Sequence, residues 1–216
     1  MCVASIIAPL PVSAYVASTL INVIRYAITG QSGVYPSEAE LLPLARRWAT
    51  DSINFVQLRE KHTDAGPLTT LARKLLAALG PHTKLLINGR TDVAIAAGAA
   101  GVHLTASPDE LTPHQVRRVF ALAGRPEPTI SVSCHTLEAA QRARDAGVNM
   151  ILFGPVFEKR VDGALAVNGV GLGALQRVCA AVAPLKVLAL GGVTRNNAQQ
   201  CIDAGAAGIA GIRLFS

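Results

Sequence analysis

Short apolar runs alternate with longer amphipathic stretches along most of the chain. Runs of this kind, bounded by turn residues, are typical of strands that are buried on both faces of a parallel sheet. The pattern predicts eight strands: Val23–Ile28, Phe55–Leu58, Lys84–Ile87, Gly101–Leu104, Thr129–Ser133, Met150–Phe153, Lys186–Leu190 and Gly208–Ile212.

The amphipathic stretches between these runs predict helices. They are Ser37–Thr50, Pro67–Leu79, Thr91–Ala97, Pro108–Leu122, Leu137–Ala146, Leu172–Val182 and Asn196–Ala204. Ser107 before Pro108, and likewise Thr136, have the side chains that cap helix N-termini. Gly147 and Gly205 stand where left-handed caps are expected to end helices.

Successive βα units favour a closed (β/α)₈ barrel, the TIM barrel, over an open doubly wound sheet, which needs fewer strands. We assign residues 23–216 to one barrel domain and residues 1–22 to an N-terminal extension. Because the sequence stops at Ser216, the eighth helix is expected to be absent or replaced. Its place would be covered by the apolar segment Ser13–Ile24 or by a partner subunit in a homodimer.

The uncharged N-terminal stretch superficially resembles a signal peptide or a membrane anchor. It has no basic region before the apolar residues, and Pro9 and Pro11 interrupt it. We therefore expect no membrane association. The four cysteines are widely spaced and form no metal-binding pattern, which suits free thiols in the cytoplasm.

Composition and net charge limit the classes of ligand that the chain is expected to bind. Half of the 216 residues are hydrophobic, 16% are charged, and the net charge is +6. A positive chain favours anionic ligands. The basic residues are scattered and no aromatic residues interleave with them, so we expect a phosphorylated metabolite and not a nucleic acid.

Candidate functional residues follow the strands, where parallel barrels carry their active sites. On the second strand Gln57, Arg59 and Lys61 share one face, and the two cations suit an anionic group. The alternative is a solvated pair with Glu60. Asn88 ends the third strand and has an amide that suits the edge of a ring.

The fifth strand places Ser133 and His135 on one face, and His135 is the main acid–base candidate. His103, also interior by alternation, is expected to be structural. After the seventh and eighth predicted strands, Gly191, Gly192, Ile212 and Arg213 are candidates for holding phosphate through backbone N–H groups.

Six ordered motifs resemble those of the thiamine-phosphate synthase and thiazole tautomerase (TenI) family. They are Gln57-Leu58-Arg59-Glu60-Lys61, Asn88-Gly89-Arg90, Gly101-Val102-His103-Leu104, Ser133-Cys134-His135-Thr136, Phe153-Gly154-Pro155-Val156-Phe157-Glu158 and Leu190-Gly191-Gly192-Val193. The resemblance implies a TIM barrel and a phosphorylated thiazole substrate in thiamin biosynthesis.

The family contains two chemistries. The synthase joins a pyrimidine diphosphate to a thiazole phosphate, with magnesium held by aspartates. The resemblance places one aspartate directly after Asn88, where this chain has Gly89, and another about one position before Asp109. The pyrophosphate-binding lysine is expected near Asp162.

These departures favour the tautomerase, which moves a proton to aromatise a thiazole and needs no metal or cofactor. His135 would shuttle that proton, and Arg59 with Lys61 would hold the carboxylate end of the substrate. The magnesium-dependent synthase is the alternative enzyme. A non-catalytic binder of phosphorylated ligands is the third hypothesis.

Overall fold

The computed structural model describes residues 23–30, 37–105, 107, 109–161 and 164–215. These residues form the strands β1 Ile24–Ile28, β2 Phe55–Leu58, β3 Lys84–Asn88, β4 Gly101–Leu104, β5 Thr129–Cys134, β6 Met150–Phe153, β7 Lys159–Val161, β8 Ala164–Val167, β9 Lys186–Leu190 and β10 Gly208–Gly211. All but β7 and β8 close into one parallel barrel in the order β1-β10-β9-β6-β5-β4-β3-β2. The predicted (β/α)₈ barrel is confirmed.

Helices surround the barrel. They are α1 Glu38–Thr50, α2 Ala65–Leu79, α3 Thr91–Ala97, α4 Pro113–Leu122, α5 Leu137–Asp145, α6 Leu172–Val182 and α7 Ala198–Asp203. Thr136 caps α5 as predicted, because its Oγ1 accepts from the Ala139 N–H at 3.1 Å. Gly147 and Gly205 have φ values of 69° and 94°, as left-handed caps require. Within the described ranges, no helix is long and apolar enough to cross a membrane.

The predicted start of α4 is wrong. The helix begins at Pro113, with Thr112 as its N-cap and Gln115 completing a capping box. This pair provides reciprocal hydrogen bonds that Ser107 cannot offer from its position. Pro108 lies outside the described residues. The correction leaves Asp109 and Glu110 in the loop after β4 instead of in the first turn of a helix.

The alternation of side chains divides each strand between two cores. Outward residues pack under the helices in a large apolar cluster that includes Val56, Leu85 and Val187. Inward apolar residues fill the barrel in a second cluster that includes Leu86, Leu152 and Leu188. Polar side chains interrupt this interior cluster on β2, β4 and β5, and they lead to the carboxyl ends of those strands.

Two features differ from the regular pattern. The antiparallel hairpin of β7 and β8 is inserted after β6 and was not predicted; Asp162 lies outside the described residues. Across the described residues no helix follows β10, and Phe215 packs there instead. Its carbonyl accepts from Trp48 Nε1 at 2.8 Å, and Arg25 lies 5.4 Å over its ring. The predicted covering segment lies almost wholly outside the described residues.

Candidate active site

The carboxyl ends of the barrel strands form one rim, because all barrel strands are parallel. Every residue that the sequence singled out lies at or just after such an end. They are Gln57 on β2 with Arg59 and Lys61 after it, Asn88 on β3, Ser133 on β5 with His135 after it, Gly191 and Gly192 after β9, and Ile212 and Arg213 after β10. The fold therefore brings them to one mouth, although their binding roles stay predictions.

Polar side chains continue from the mouth into the barrel. Gln57, only 2% exposed, donates from Nε2 to Asn88 Oδ1 at 2.8 Å. The Tyr26 hydroxyl donates to Gln57 Oε1 at 3.3 Å and also lies 3.0 Å from Ser131 Oγ. The sequence pattern gave no indication of Tyr26, because it reads as one more apolar residue of β1.

His103 lies at the centre of this polar interior. Its Nδ1 is 2.9 Å from Ser131 Oγ and its Nε2 is 2.9 Å from Ser133 Oγ. Burial, and secondly the positive charge of Arg59, lowers the pKa of His103 to about 3. The ring is therefore neutral at physiological pH and orients the two serines, in line with the predicted interior role.

Hydrogen bonds from the end of β1 position the backbone that carries the two cations after β2. The Thr29 hydroxyl accepts from the Arg59 backbone N–H at 2.9 Å and donates to Glu60 Oε1 at 3.2 Å. Burial raises the pKa of Glu60, against the opposing effects of the Thr29 hydrogen bond and the Arg59 charge. Arg59 is half-buried and Lys61 is exposed, so a ligand in the mouth can reach both cations.

His135 is exposed just beyond β5, and its Nδ1 contacts the Gly154 carbonyl oxygen. A carbonyl oxygen only accepts, so Nδ1 carries the proton and Nε2 is left as a base. The neighbouring Cys134 is buried on the other face of the strand, where burial raises its thiol pKa to about 11. The Cys134 thiol is therefore not paired with His135.

The glycine pair after β9 is packed tightly against the loop after β6. Gly191 and Gly192 have φ values of 89° and 66°. A Cβ on Gly191 would lie 2.5 Å from Pro155 Cβ, and one on Gly192 would lie 2.6 Å from Phe157 Cβ. Packing alone therefore requires glycine at both positions, whether or not their N–H groups hold phosphate.

The loop after β10 continues this side of the mouth. Ile212 packs against the apolar barrel interior, and Arg213 is exposed. Thus the β9 and β10 ends offer backbone and one cation, in contrast to the polar side chains of β2, β3 and β5.

One residue at the mouth was missed. Glu110 Oε2 accepts from the Thr105 backbone N–H at 2.6 Å, and its Oε1 lies 3.0 Å from where a Cβ on Gly89 would be. The Glu110 carboxylate therefore fills the space of the side chain that Gly89 lacks, next to Asn88. The Thr112–Gln115 capping box could have identified this residue from the sequence. It starts α4 after Thr112 and therefore leaves Glu110 in the loop at the mouth.

The Glu110 carboxylate is chemically suited to hold a magnesium ion whose other ligands are phosphate oxygens and water. Magnesium is usually held by one or two carboxylates plus substrate phosphates and water. Glu110 Oε1 provides one such carboxylate in the space over Gly89. Across the described residues no group of three or more His, Cys, Asp or Glu side chains is arranged to hold a metal by protein ligands alone.

Comparison with known proteins identifies relatives of this chain. A thiamine-phosphate synthase of Koribacter versatilis is 36% identical over 181 residues, covering 82% of this chain and 81% of the relative. One from Anaeromyxobacter dehalogenans is 33% identical over 183 residues, covering 85% and 79%. The solved structure of a thiamine phosphate pyrophosphorylase from Pyrococcus furiosus superimposes with a TM-score of 0.72 at 23% identity, and the match covers 88% of this chain and 86% of that chain.

The solved structure shows the fold, and the sequence matches show the family. The family model TMP-TENI, described as thiamine monophosphate synthase, matches residues 25–215. This span covers all the barrel strands apart from the first residue of β1. The chain belongs to the thiamine monophosphate synthase (TMP-TENI) family of thiamine biosynthesis.

Proposed function

We propose that the protein is a thiamine-phosphate synthase that joins a pyrimidine diphosphate to a thiazole phosphate. The observation that carries the proposal is the Glu110 carboxylate over Gly89. The sequence favoured the tautomerase because the aspartates expected after Asn88 and just before Asp109, and the lysine expected near Asp162, are missing. Glu110 offers a carboxylate over Gly89 from the next strand's loop, and the names of the relatives support the same reaction.

The reaction forms a bond between the thiazole nitrogen and the methylene carbon of the pyrimidine. The bond from that carbon to the diphosphate oxygen breaks, and pyrophosphate leaves with the electron pair. Magnesium, when bound, would neutralise the charge that develops on the leaving diphosphate. Glu110 would hold the ion, while Arg59 and Lys61 bind the diphosphate oxygens from the β2 end.

The remaining groups position the two rings. Asn88 and Ser133 offer hydrogen-bonding atoms to the pyrimidine edge beside the diphosphate. The glycine loop after β9 and the Ile212–Arg213 backbone would hold the phosphate of the thiazole on the opposite side. Such positioning converts the encounter of two substrates into a reaction within one complex.

One observation favours a second function, thiazole tautomerisation. His135 donates from Nδ1 to the Gly154 carbonyl, so its exposed Nε2 can take a proton from one ring atom and return it to another. The bond from hydrogen to the first atom breaks, a bond from hydrogen to the second atom forms, and the double bonds between them shift to give the aromatic thiazole, without a metal. A phosphorylated thiazole carboxylate would then be the substrate.

The test is to incubate the full chain with pyrimidine diphosphate and thiazole phosphate, with and without magnesium. Thiamine phosphate should form only with magnesium. Thiazole isomerisation that is independent of magnesium, without thiamine phosphate, would replace the synthase by the tautomerase. Binding of both ligands without either product would favour the non-catalytic binder.

A further inference from the structure

A continuous line of polar side chains crosses the barrel interior between the carboxyl ends of β3 and β5. Its members, in order of contact, are Asn88, Gln57, Tyr26, Ser131, His103 and Ser133. Tyr26 and Ser131 are fully buried, so each hydrogen bond must be made within the line. The available protons therefore determine the direction of every bond.

The direction is set at the amide end. Gln57 Nε2 donates to Asn88 Oδ1 at 2.8 Å, which turns Gln57 Oε1 towards Tyr26. The Tyr26 hydroxyl has one hydrogen and donates it to that oxygen at 3.3 Å. The Tyr26 oxygen must then accept the hydrogen of Ser131, whose Oγ is 3.0 Å away.

The same accounting fixes the His103 tautomer. Ser131 has given its hydrogen to Tyr26, so its Oγ accepts from His103 Nδ1–H at 2.9 Å. A neutral imidazole has one N–H, and the pKa of His103 is lowered to about 3 by burial and by the charge of Arg59. Nε2 is therefore the acceptor for the Ser133 hydroxyl at 2.9 Å.

The consequence appears at the mouth. Ser133 is half-buried at the carboxyl end of β5, and its hydrogen points back to His103. Only oxygen lone pairs remain for a ligand. Serine normally offers either a donor or an acceptor, but here the line leaves it only the second of these roles.

We propose that this one-way line, set by Tyr26 and His103, holds Ser133 as an acceptor-only contact, so that Ser133 pairs with an exocyclic amino group of a pyrimidine and not with an exocyclic oxo group at the same position. Tyr26 and His103 are positioning residues that act through Ser133. The identity of the ligand rests on the proposed synthase function, whereas the direction of the line does not. An oxo group would place two acceptors opposite each other and leave both unpaired.

The first test needs no ligand. The full chain with ¹⁵N-labelled histidine is observed by long-range ¹H–¹⁵N NMR at pH 7, and His103→Gln identifies the His103 signals. The expected tautomer has its proton on Nδ1. A proton on Nε2 would overturn the proposal, because it would require the reverse line with both amides rotated.

The second test uses Tyr26→Phe, which removes a hydroxyl and keeps the ring. Ser131 is then free to donate to His103 Nδ1, so the tautomer should shift towards Nε2–H. The matched control is Phe55→Leu, since Phe55 stacks on Tyr26 with ring centroids 5.9 Å apart but lies outside the line. An equal tautomer change in both variants would contradict the proposal.

The third test measures selectivity by calorimetry, with the aminopyrimidine diphosphate and its 4-oxo counterpart as probes. The wild-type protein and Phe55→Leu should prefer the amino compound by about 10–100-fold, and Tyr26→Phe should lose most of that preference. Equal affinities in the wild-type protein would overturn the selection. If neither diphosphate binds, the proposed function and its ligand fail, while the tautomer still decides the direction of the line.

Discussion

The two sides of the barrel mouth are built on different principles. On the β2–β5 side, polar side chains such as Gln57, His103 and Ser131 run down into the barrel and are joined by hydrogen bonds. On the β6–β10 side, the interior is apolar, with Leu152 and Leu188, and tightly packed glycine loops line the rim. The first side presents fixed side-chain atoms, whereas the described glycine loops of the second side present backbone.

Under the proposed synthase function, this difference would allow two unlike substrates to bind at one mouth. A heterocycle is distinguished by the pattern of donors and acceptors on its edge, which oriented side chains can match. A phosphate group has the same oxygens in every ligand, so backbone N–H groups and one cation suffice. Under the proposed synthase function, the pyrimidine diphosphate would therefore bind on the β2–β5 side and the thiazole phosphate on the β6–β10 side.

The largest expected effect is a loss of stability when a side chain is added to the glycine loop after β9. Gly191→Ala places a Cβ 2.5 Å from Pro155 Cβ at a φ of 89°, so it should destabilise the protein by about 3 kcal/mol. Thermal unfolding should then shift down by roughly 10 °C. The control is Gly66→Ala, where a Cβ meets nothing within 4 Å. A wild-type melting temperature for Gly191→Ala would contradict the packing described for this side.

The next effect is a dependence of the free energy of unfolding on pH, which arises from His103 on the β2–β5 side. The pKa of His103 is about 3 when folded and near 6.5 when exposed, so the unfolded chain binds the extra proton. His103 therefore contributes full stability above pH 6.5, which is lost as the pH falls towards 3. At pH 4.5 the loss should be about 2–3 kcal/mol.

Urea unfolding at pH 7.5 and pH 4.5 checks this prediction. The matched variant is His103→Gln, which keeps hydrogen-bonding atoms but has no titrating ring. Glu60, Asp92 and Glu138 also have shifted pKa values in the folded protein, and we expect them to contribute equally in the wild type and the variant. An identical loss of stability in the wild type and the variant would show that His103 is not the buried titrating group.

A smaller effect separates the two substrates. Arg59→Lys keeps the charge and removes the fork that can grip two phosphate oxygens, so KM for the pyrimidine diphosphate should rise about tenfold. KM for the thiazole phosphate should stay unchanged. Arg73→Lys, on the exposed face of α2, is the control for a general arginine effect. A rise confined to the thiazole phosphate would reverse the assignment of the two sides.

The sequence was sufficient for the barrel and for the place of the candidate residues. Apolar runs such as Gly101–Leu104 form strands because a strand of a parallel barrel is buried on both faces and therefore needs apolar residues at successive positions. Alternation correctly placed His103 and Ser133 inside. The N-cap residue predicted the start of a helix correctly where the sequence has one candidate, as at Thr136. The prediction failed where two candidates, Ser107 and Thr112, precede the same helix.

What the sequence did not predict depends on contacts across the barrel. Glu110 meets Gly89 only because the ends of β3 and β4 are neighbours. Tyr26 joins Ser131 through the centre of the barrel, from a position that has the same apolar appearance as the rest of β1. Neither contact can be predicted from the local pattern of apolar and polar residues, because the partners are far apart along the chain.

The most direct test of the account is the magnesium dependence of the Glu110→Gln variant. The control is Glu127→Gln, which removes an exposed carboxylate paired with Arg117 at 2.7 Å, away from the mouth. Thiamine phosphate formation is measured over a magnesium titration in both variants and in the wild type. We predict that Glu110→Gln needs at least about tenfold more magnesium and loses about 10²-fold in kcat, whereas Glu127→Gln behaves as the wild type. Identical titrations for all three proteins would contradict the role of Glu110 and with it the proposed function.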